Sequence, residues 1–280
     1  ERYEIFFKKL QNMHKRKFAL ITGASGLLGP EHAAALAEIG YNSILVDINK
    51  QELKKKIINL RAKYPNIFFY PFICDITSEQ QVKKLSRRLT KMKIFIDVLV
   101  NNADLNPKMN KSKKISGLLE SYKIKNLLKE VNVGIIGTFI CCKIFGTKMS
   151  QKNGGSIINI SSDLGITAPD HRVYHSSENL KKVKNFKPIG YSISKHGITG
   201  ITKYLSTYWA HKNVRCNNLV LGSVMNTQSK SLVKNIKKRV PMQRLARKDE
   251  YKKSIQFLAS DGSEYMTGQN LIIDGGRTVW

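Results

Sequence analysis

Phe18-Ala19-Leu20-Ile21-Thr22-Gly23-Ala24-Ser25-Gly26-Leu27-Leu28-Gly29 is the stretch that decides the fold. A short apolar run entering a glycine turn reads as a buried parallel strand. The glycines recur as G-x-x-G-x-x-G, and each meets a separate steric demand. Gly23 permits the tight turn. Gly26 lets the backbone approach a pyrophosphate. Gly29 lets the following helix pack closely on the strand. Pro30 suits the first helical turn, where a missing N–H costs little. The helix continues over 31–39, and Gly40 ends it.

Working outward, residues 43–47 read as the second strand. Asp47 follows Gly26 by 21 positions. That is the place for a carboxylate that accepts from both adenosine ribose hydroxyls and repels a 2′-phosphate, so NAD is favoured over NADP. Its other reading is an N-cap for a helix over 51–62. Strands follow at 67–73 and 94–100, with an amphipathic helix over 78–92 between them. One long helix is expected over 124–150; Asn132 within it needs a polar partner. Gly154-Gly155 turn into a fifth strand, 156–160. Ser161 and Ser162 stand at its carboxyl end, where doubly wound sheets bind ligands. A helix over 189–210, a strand over 214–220, helical segments over 227–240 and 248–259, and a strand over 269–273 complete the chain. The fold class is α/β: a single doubly wound domain with a mostly parallel sheet of about seven strands and helices on both faces. It covers 17–280, with 1–16 as an N-terminal extension.

Tyr191-Ser192-Ile193-Ser194-Lys195 places a phenol and an ammonium on one helix face. A fixed lysine charge favours the phenolate, so the Tyr191 pKa is expected to fall below its usual ~10. Alone, Tyr-x-x-x-Lys is most often an ordinary helix surface pair. With the glycine turn and Asn159-Ile160-Ser161-Ser162 upstream, the chain resembles the short-chain dehydrogenase/reductase family from about Lys17 to Trp280.

The resemblance implies hydride transfer between an alcohol or ketone and a nicotinamide dinucleotide. Asn132, Ser162, Tyr191 and Lys195 become the catalytic residues, with Ser161 as the neighbouring alternative to Ser162. Asn132 would hold a water leading protons to Lys195. Gly23, Ser25, Gly26, Leu28, Asp47, Asp75, Ile76, Asn102, Ala103 and Val224 would bind the cofactor with Tyr191 and Lys195, Ile76 packing on the adenine. Two departures stand out: Asp104 replaces the glycine of the family's Asn-Asn-Ala-Gly, and Leu221 replaces a proline before Gly222. Homodimers or homotetramers are expected. Gly134 and Gly137 would allow close approach there or within one chain.

A finer resemblance rests on Asn106-Pro107-Lys108, Ser161-Ser162-Asp163-Leu164-Gly165, Ala168-Pro169-Asp170, the 203–210 segment and the Asp-Gly-Gly-Arg-Thr-x-Trp ending. These look like flagellin modification protein A and its relatives, which implies a sugar or nucleotide-activated sugar as substrate, in surface-glycan pathways such as legionaminic acid. Ser162 and Tyr191 are 29 positions apart, so an insertion over 170–188 lies between them. A loop of that length is usually functional. Asp163, His171, Arg172, His175 and Lys187 are its candidate substrate contacts. The alternatives are a reductase of 3-oxoacyl thioesters or another small ketone, and a non-catalytic dinucleotide- or nucleic-acid-binding protein.

The formal net charge of +28 is the feature that favours the last alternative. The lysines are spread over many expected helices and accompany no nucleic-acid motif, so they read as solvated surface. No apolar run reaches the ~18 residues of a membrane span. Cys74, Cys141, Cys142 and Cys216 form no C-x-x-C pair, so no metal site is expected and the context reads as reducing and cytoplasmic.

Overall fold

The computed structural model describes residues 17–106, 117–152, 154–174 and 185–280. Its centre is a seven-stranded parallel sheet in the order β3-β2-β1-β4-β5-β6-β7. In chain order the elements are β1 (Phe18–Thr22), α1 (Gly29–Ala37), β2 (Asn42–Asp47), α2 (Lys50–Lys63), β3 (Phe69–Ile73), α3 (Glu79–Lys91) and β4 (Val98–Asn101). Then come α4 (residues 124–150), β5 (Gly155–Ser162), α5 (Ile189–Tyr208), β6 (Val214–Leu221), α6 (Lys230–Lys237), α7 (Lys252–Ala259) and β7 (Asn270–Ile273). The order reverses between β1 and β4, which opens a crevice at the carboxyl ends of the strands. Two buried apolar layers cover the sheet. One joins α1, α2 and α7 through residues such as Ala33, Leu36, Leu53 and Leu258. The other joins α3, α4 and α5 through Leu85, Phe145, Met149 and Trp209.

Three departures from the sequence reading matter. The fourth strand starts at Val98, because Lys93 adopts φ 55° and Asp97 turns back to accept from the Phe18 N–H at 2.7 Å. The fifth strand runs on to Ser162, so both serines are strand residues rather than loop residues. The α4 helix is continuous but contains two π-helical stretches, Asn132–Gly137 and Cys142–Gly146. Gly134 and Gly137 are both used within the chain. A Cβ on Gly134 would lie 2.8 Å from Asp104 Oδ1 and from Ser194 Cβ, and one on Gly137 would lie 2.7 Å from Ile76 Cδ1.

Candidate active site

The glycine turn at the end of β1 is built as its spacing requires. Gly23 has φ +61°, and a Cβ there would come within 2.7 Å of Ala103 Cα. A Cβ on Gly29 would lie 2.6 Å from the Gly23 carbonyl oxygen. Asn102 fastens the turn to β4: its side-chain amide donates to the carbonyls of Thr22 and Gly23, both at 3.0 Å. Ala103 N–H donates to Thr22 Oγ1 at 3.1 Å. Leu28 stands at the head of α1, and no side chain caps that helix. Gly26 is exposed, and the only atom near its added Cβ is the Gly23 oxygen, at 3.2 Å. An open glycine beside uncapped helix N–H groups fits the pyrophosphate of a dinucleotide.

Asp47 ends β2 beside this turn. Its carboxylate accepts from Ser25 N–H and from Asn49 N–H, each at 2.9 Å. The cap of α2 is Asn49, which accepts from Glu52 N–H at 3.1 Å, so the capping reading of Asp47 is set aside. Asp75 accepts from the Thr77 backbone at 2.9 Å and hydroxyl at 2.7 Å, forming a local turn. Ile76 is buried against Gly137 of α4 rather than open to an adenine ring, because Gly137 leaves a notch that its side chain fills. Val224 forms an isolated bridge to Ala246 beyond β6, and Leu221 is buried at the end of that strand.

The second cluster lies across the crevice. Ser162, Tyr191 and Lys195 are brought together at the ends of β5 and α5. Ser162 Oγ donates to Asp163 Oδ1 at 2.7 Å, accepts from Leu164 N–H at 3.2 Å and stands beside the Tyr191 phenol. Ser161 faces the other way, donating to the Lys195 backbone carbonyl at 3.2 Å. Lys195 Nζ lies 5.6 Å from the Tyr191 ring centroid. Asn132 does not join them: it is exposed on α4, on the outward stripe shared with Ile136 and Phe139. The residue of α4 that faces the cluster is Gly134, which has no side chain to offer.

The position facing Gly134 is filled by Asp104, the residue that departs from the family pattern. Its carboxylate pairs with Lys195 Nζ at 2.9 Å, and both side chains are over nine-tenths buried. Lys195 Nζ also donates to the Ile160 carbonyl at 2.8 Å. The expected fall in the Tyr191 pKa is therefore corrected. Burial pushes the phenol above its usual value, Lys195 opposes this, and the Asp104 charge adds to the rise. Lys195 is itself held above its usual value: burial opposes the charge, and Asp104 and Tyr191 together outweigh it.

The insertion contributes a further cation. Lys187 Nζ lies 3.9 Å from the Tyr191 ring centroid and donates to Asn106 Oδ1 at 2.5 Å. Burial brings its pKa down to about 8, against the pull of Asp104, Asp163 and Glu130. Asp163 is buried and carries a raised pKa, chiefly through desolvation. His171 and Arg172 both make bonds inside the segment. His171 Nδ1 accepts from Lys187 N–H at 3.2 Å. Arg172 grips Asp170 with two bonds of 2.9 Å. Asp170 also binds Arg239, Asn235 binds the Val173 carbonyl at 3.2 Å, and Trp280 Nε1 binds the Arg239 carbonyl at 3.3 Å. His175 lies outside the described residues.

Sequence reasoning treated Asp104 only as a departure in a loop, and it missed that Gly134 faces Asp104 and that Lys187 stacks on Tyr191. The signal was present as an acid in a glycine position two residues after an asparagine that needs no acid. Among the described residues no helix is long and apolar enough to cross a membrane, and no cluster of His, Cys, Asp and Glu could hold a metal. All four cysteines are free and buried.

Comparison with known proteins agrees with this architecture. The profile of the short chain dehydrogenase family matches residues 17–237. A 3-oxoacyl-acyl-carrier-protein reductase of Thermotoga maritima is 28% identical, over 94% of this chain and 98% of its own. An NAD+-bound xylitol dehydrogenase is 26% identical and superposes with a TM-score of 0.79, covering 93% of this chain and 98% of the other. The gluconate 5-dehydrogenase of Burkholderia cenocepacia, solved with NADP and tartrate, shares the fold at 23% identity. Its TM-score is 0.81, with 94% of this chain and 96% of the other covered. A glycine turn open to a pyrophosphate, faced across one crevice by a Ser–Tyr–Lys cluster, places this chain in the short chain dehydrogenase family, as an NAD(P)-dependent oxidoreductase acting on CH–OH groups.

Proposed function

We propose that the chain is an NAD(H)-dependent oxidoreductase that interconverts an alcohol and a ketone on a sugar or nucleotide-activated sugar, in surface-glycan or flagellin-glycan biosynthesis. The observation that carries the reading is the convergence of the segments that set this chain apart. Asp170–Arg172, Val173, Asn235, Arg239 and Trp280 are tied to one another at the exit of β5 and beside α6. Through His171, which accepts from the N–H of Lys187 beside the Tyr191 ring, they adjoin the side of the crevice that holds Tyr191. Segments of that polarity suit a substrate dense in hydroxyl or phosphate oxygens.

When bound, the dinucleotide supplies the hydride chemistry. Gly23, Ser25, Gly26 and Leu28 would receive its pyrophosphate, and Asp47 its adenosine ribose. Preference for NAD rests on the Asp47 carboxylate together with the lack of a basic side chain in the glycine turn. Asp75, Asn102 and Ala103 frame the adenosine side, and Val224 the nicotinamide side. Ser162 would hydrogen-bond the reacting oxygen, and Tyr191 would exchange a proton with it. Residues 17–280 form the catalytic domain in this reading, with 1–16 preceding it. A second copy packed on α4 and α5 would cover Ile136, Phe139, Ile193 and Tyr204, which are exposed.

A reductase of 3-oxoacyl thioesters is the second reading, favoured by the Thermotoga relative. The test is a panel of nucleotide sugars, polyols and acyl thioesters with NAD(H) and NADP(H), followed by nicotinamide absorbance. Turnover of a sugar with NAD(H) supports the proposal. Turnover confined to the thioesters replaces it.

A further inference from the structure

We infer that Asp104 is a positioning residue for the Tyr191–Lys195 pair: it fixes and neutralises the Lys195 ammonium and so sets Tyr191 as a proton donor, poising the site for carbonyl reduction near neutral pH. This rests on the proposed acid–base role of Tyr191.

A lysine as buried as Lys195 stays charged only with a charged or strongly polar partner. It has two, the Asp104 carboxylate at 2.9 Å and the Ile160 carbonyl at 2.8 Å. Asp104 can occupy this position only because α4 presents Gly134 there. Any side chain on Gly134 would begin 2.8 Å from Asp104 Oδ1. The acid in the loop after β4 and the glycine in α4 thus form one complementary unit, and the exposed Asn132 takes no part in it.

The electrostatic consequence follows from distance. A lone ammonium near a phenol favours the phenolate. A carboxylate in contact with that ammonium cancels most of the field the phenol feels. Of the other charges, Lys187 over the Tyr191 ring favours the phenolate, while Asp163 and above all burial of the phenol favour the protonated form. Lys187, at the entry to α5, acts on Asp104 and Glu130 together, and Glu130 of α4 adds a second carboxylate to the neighbourhood. Glu130 is buried, accepts from the Tyr122 hydroxyl, and has a raised pKa, chiefly from desolvation with the Asp104 charge adding to it. The phenol therefore keeps its proton at neutral pH. In carbonyl reduction the hydride brings both electrons to the carbonyl carbon, and the Tyr191 proton goes to the oxygen. The oxidative direction needs the phenolate and so needs alkaline pH.

The test reads Tyr191 without any substrate, so it is independent of whether the sugar assignment holds. Phenolate absorbance is titrated in the wild type and in Asp104→Asn, each against its own Tyr191→Phe partner, and the difference isolates Tyr191. Asp104→Asn should lower the Tyr191 midpoint by about one pH unit or more. An unchanged or raised midpoint overturns the inference. If Asp104→Asn folds too poorly to titrate, thermal midpoints decide. Breaking a buried pair from one side should lower the midpoint by about 5 °C or more, in Asp104→Asn and in Lys195→Met alike. The double variant should lose clearly less than the sum of the two. Strictly additive losses would show that the two residues are not coupled, and would equally overturn the inference.

Discussion

The two sides of the crevice are built on different principles. On the β1–α1–β2 side, the cofactor site is built from backbone: a turn at φ +61°, an open helix end, and main-chain carbonyls held by the Asn102 amide reaching in from the end of β4. On the β4–β5–α5 side, function is carried by side chains that arrive from distant parts of the chain and are held by charge. A backbone device tolerates almost no change in its key residues. A side-chain device can exchange one member for another, provided that the space and the charge still balance. Asp104 facing Gly134 is such an exchange. Substitutions on the backbone side should therefore appear first as lost stability or lost cofactor, and those on the side-chain side as lost turnover.

The largest effect is expected for Tyr191→Phe. Turnover should fall by at least the ~10²-fold typical of lost acid–base catalysis, with the melting temperature and dinucleotide binding retained. Steady-state assay beside dinucleotide titration checks it, and near-normal turnover would reject Tyr191 as the acid. Next is Gly23→Ala on the other side. The strained φ and the 2.7 Å approach to Ala103 Cα should cost about 2–3 kcal/mol of stability, measured by denaturant unfolding. A variant as stable as the wild type would show that the turn can relax.

His32 sharpens the backbone side by pH. Burial lowers its pKa from 6.5 to about 4, and a bond to Asn102 partly opposes this. The unfolded chain therefore takes up a proton that the folded one refuses, and stability falls as pH drops from about 6.5 toward 4. The loss should reach about 2 kcal/mol by pH 5. Unfolding curves at several pH values for the wild type and His32→Gln check it, since the variant should lack this component. The smallest effect belongs to Asp47→Ala. Selectivity for NAD over NADP in kcat/KM should narrow by about tenfold, one hydrogen-bonded charge being worth roughly 1.5 kcal/mol. A preference for NADP in the unaltered protein would sink the reading of Asp47 altogether.

The same division explains what could be read from the sequence. The succession of strands and helices, the glycine turn, Asp47 at the end of β2 and the Tyr191–Lys195 spacing were all legible, because each is a local pattern with a local physical cause. The Asp47 capping alternative gave way because Asn49, two residues on, is the better-placed cap. The Asn132 assignment failed geometrically because its side chain lies on the outward stripe of α4. The fall expected for the Tyr191 pKa reversed because the spacing reveals the lysine but not the burial of the phenol, which dominates, nor the carboxylate arriving from 87 positions upstream, which adds to it. His171 and Arg172 have the chemistry of ligand contacts, but their nearest partners are in their own segment.

The π-helical stretches of α4 have a consequence for how chains of this kind should be compared. A π turn closes its hydrogen bonds one residue later than an α turn, so it absorbs an extra residue without ending the helix. Everything beyond it is rotated relative to an uninterrupted helix of the same sequence. Asn132–Gly137 is such a stretch, and it begins at the residue that motif counting selected. Two chains aligned letter by letter through this helix would match residues that face opposite directions. Correspondence here has to be judged by which side of the cylinder a residue occupies, and by that measure the counterpart of an inward-facing polar side chain is the bare backbone at Gly134.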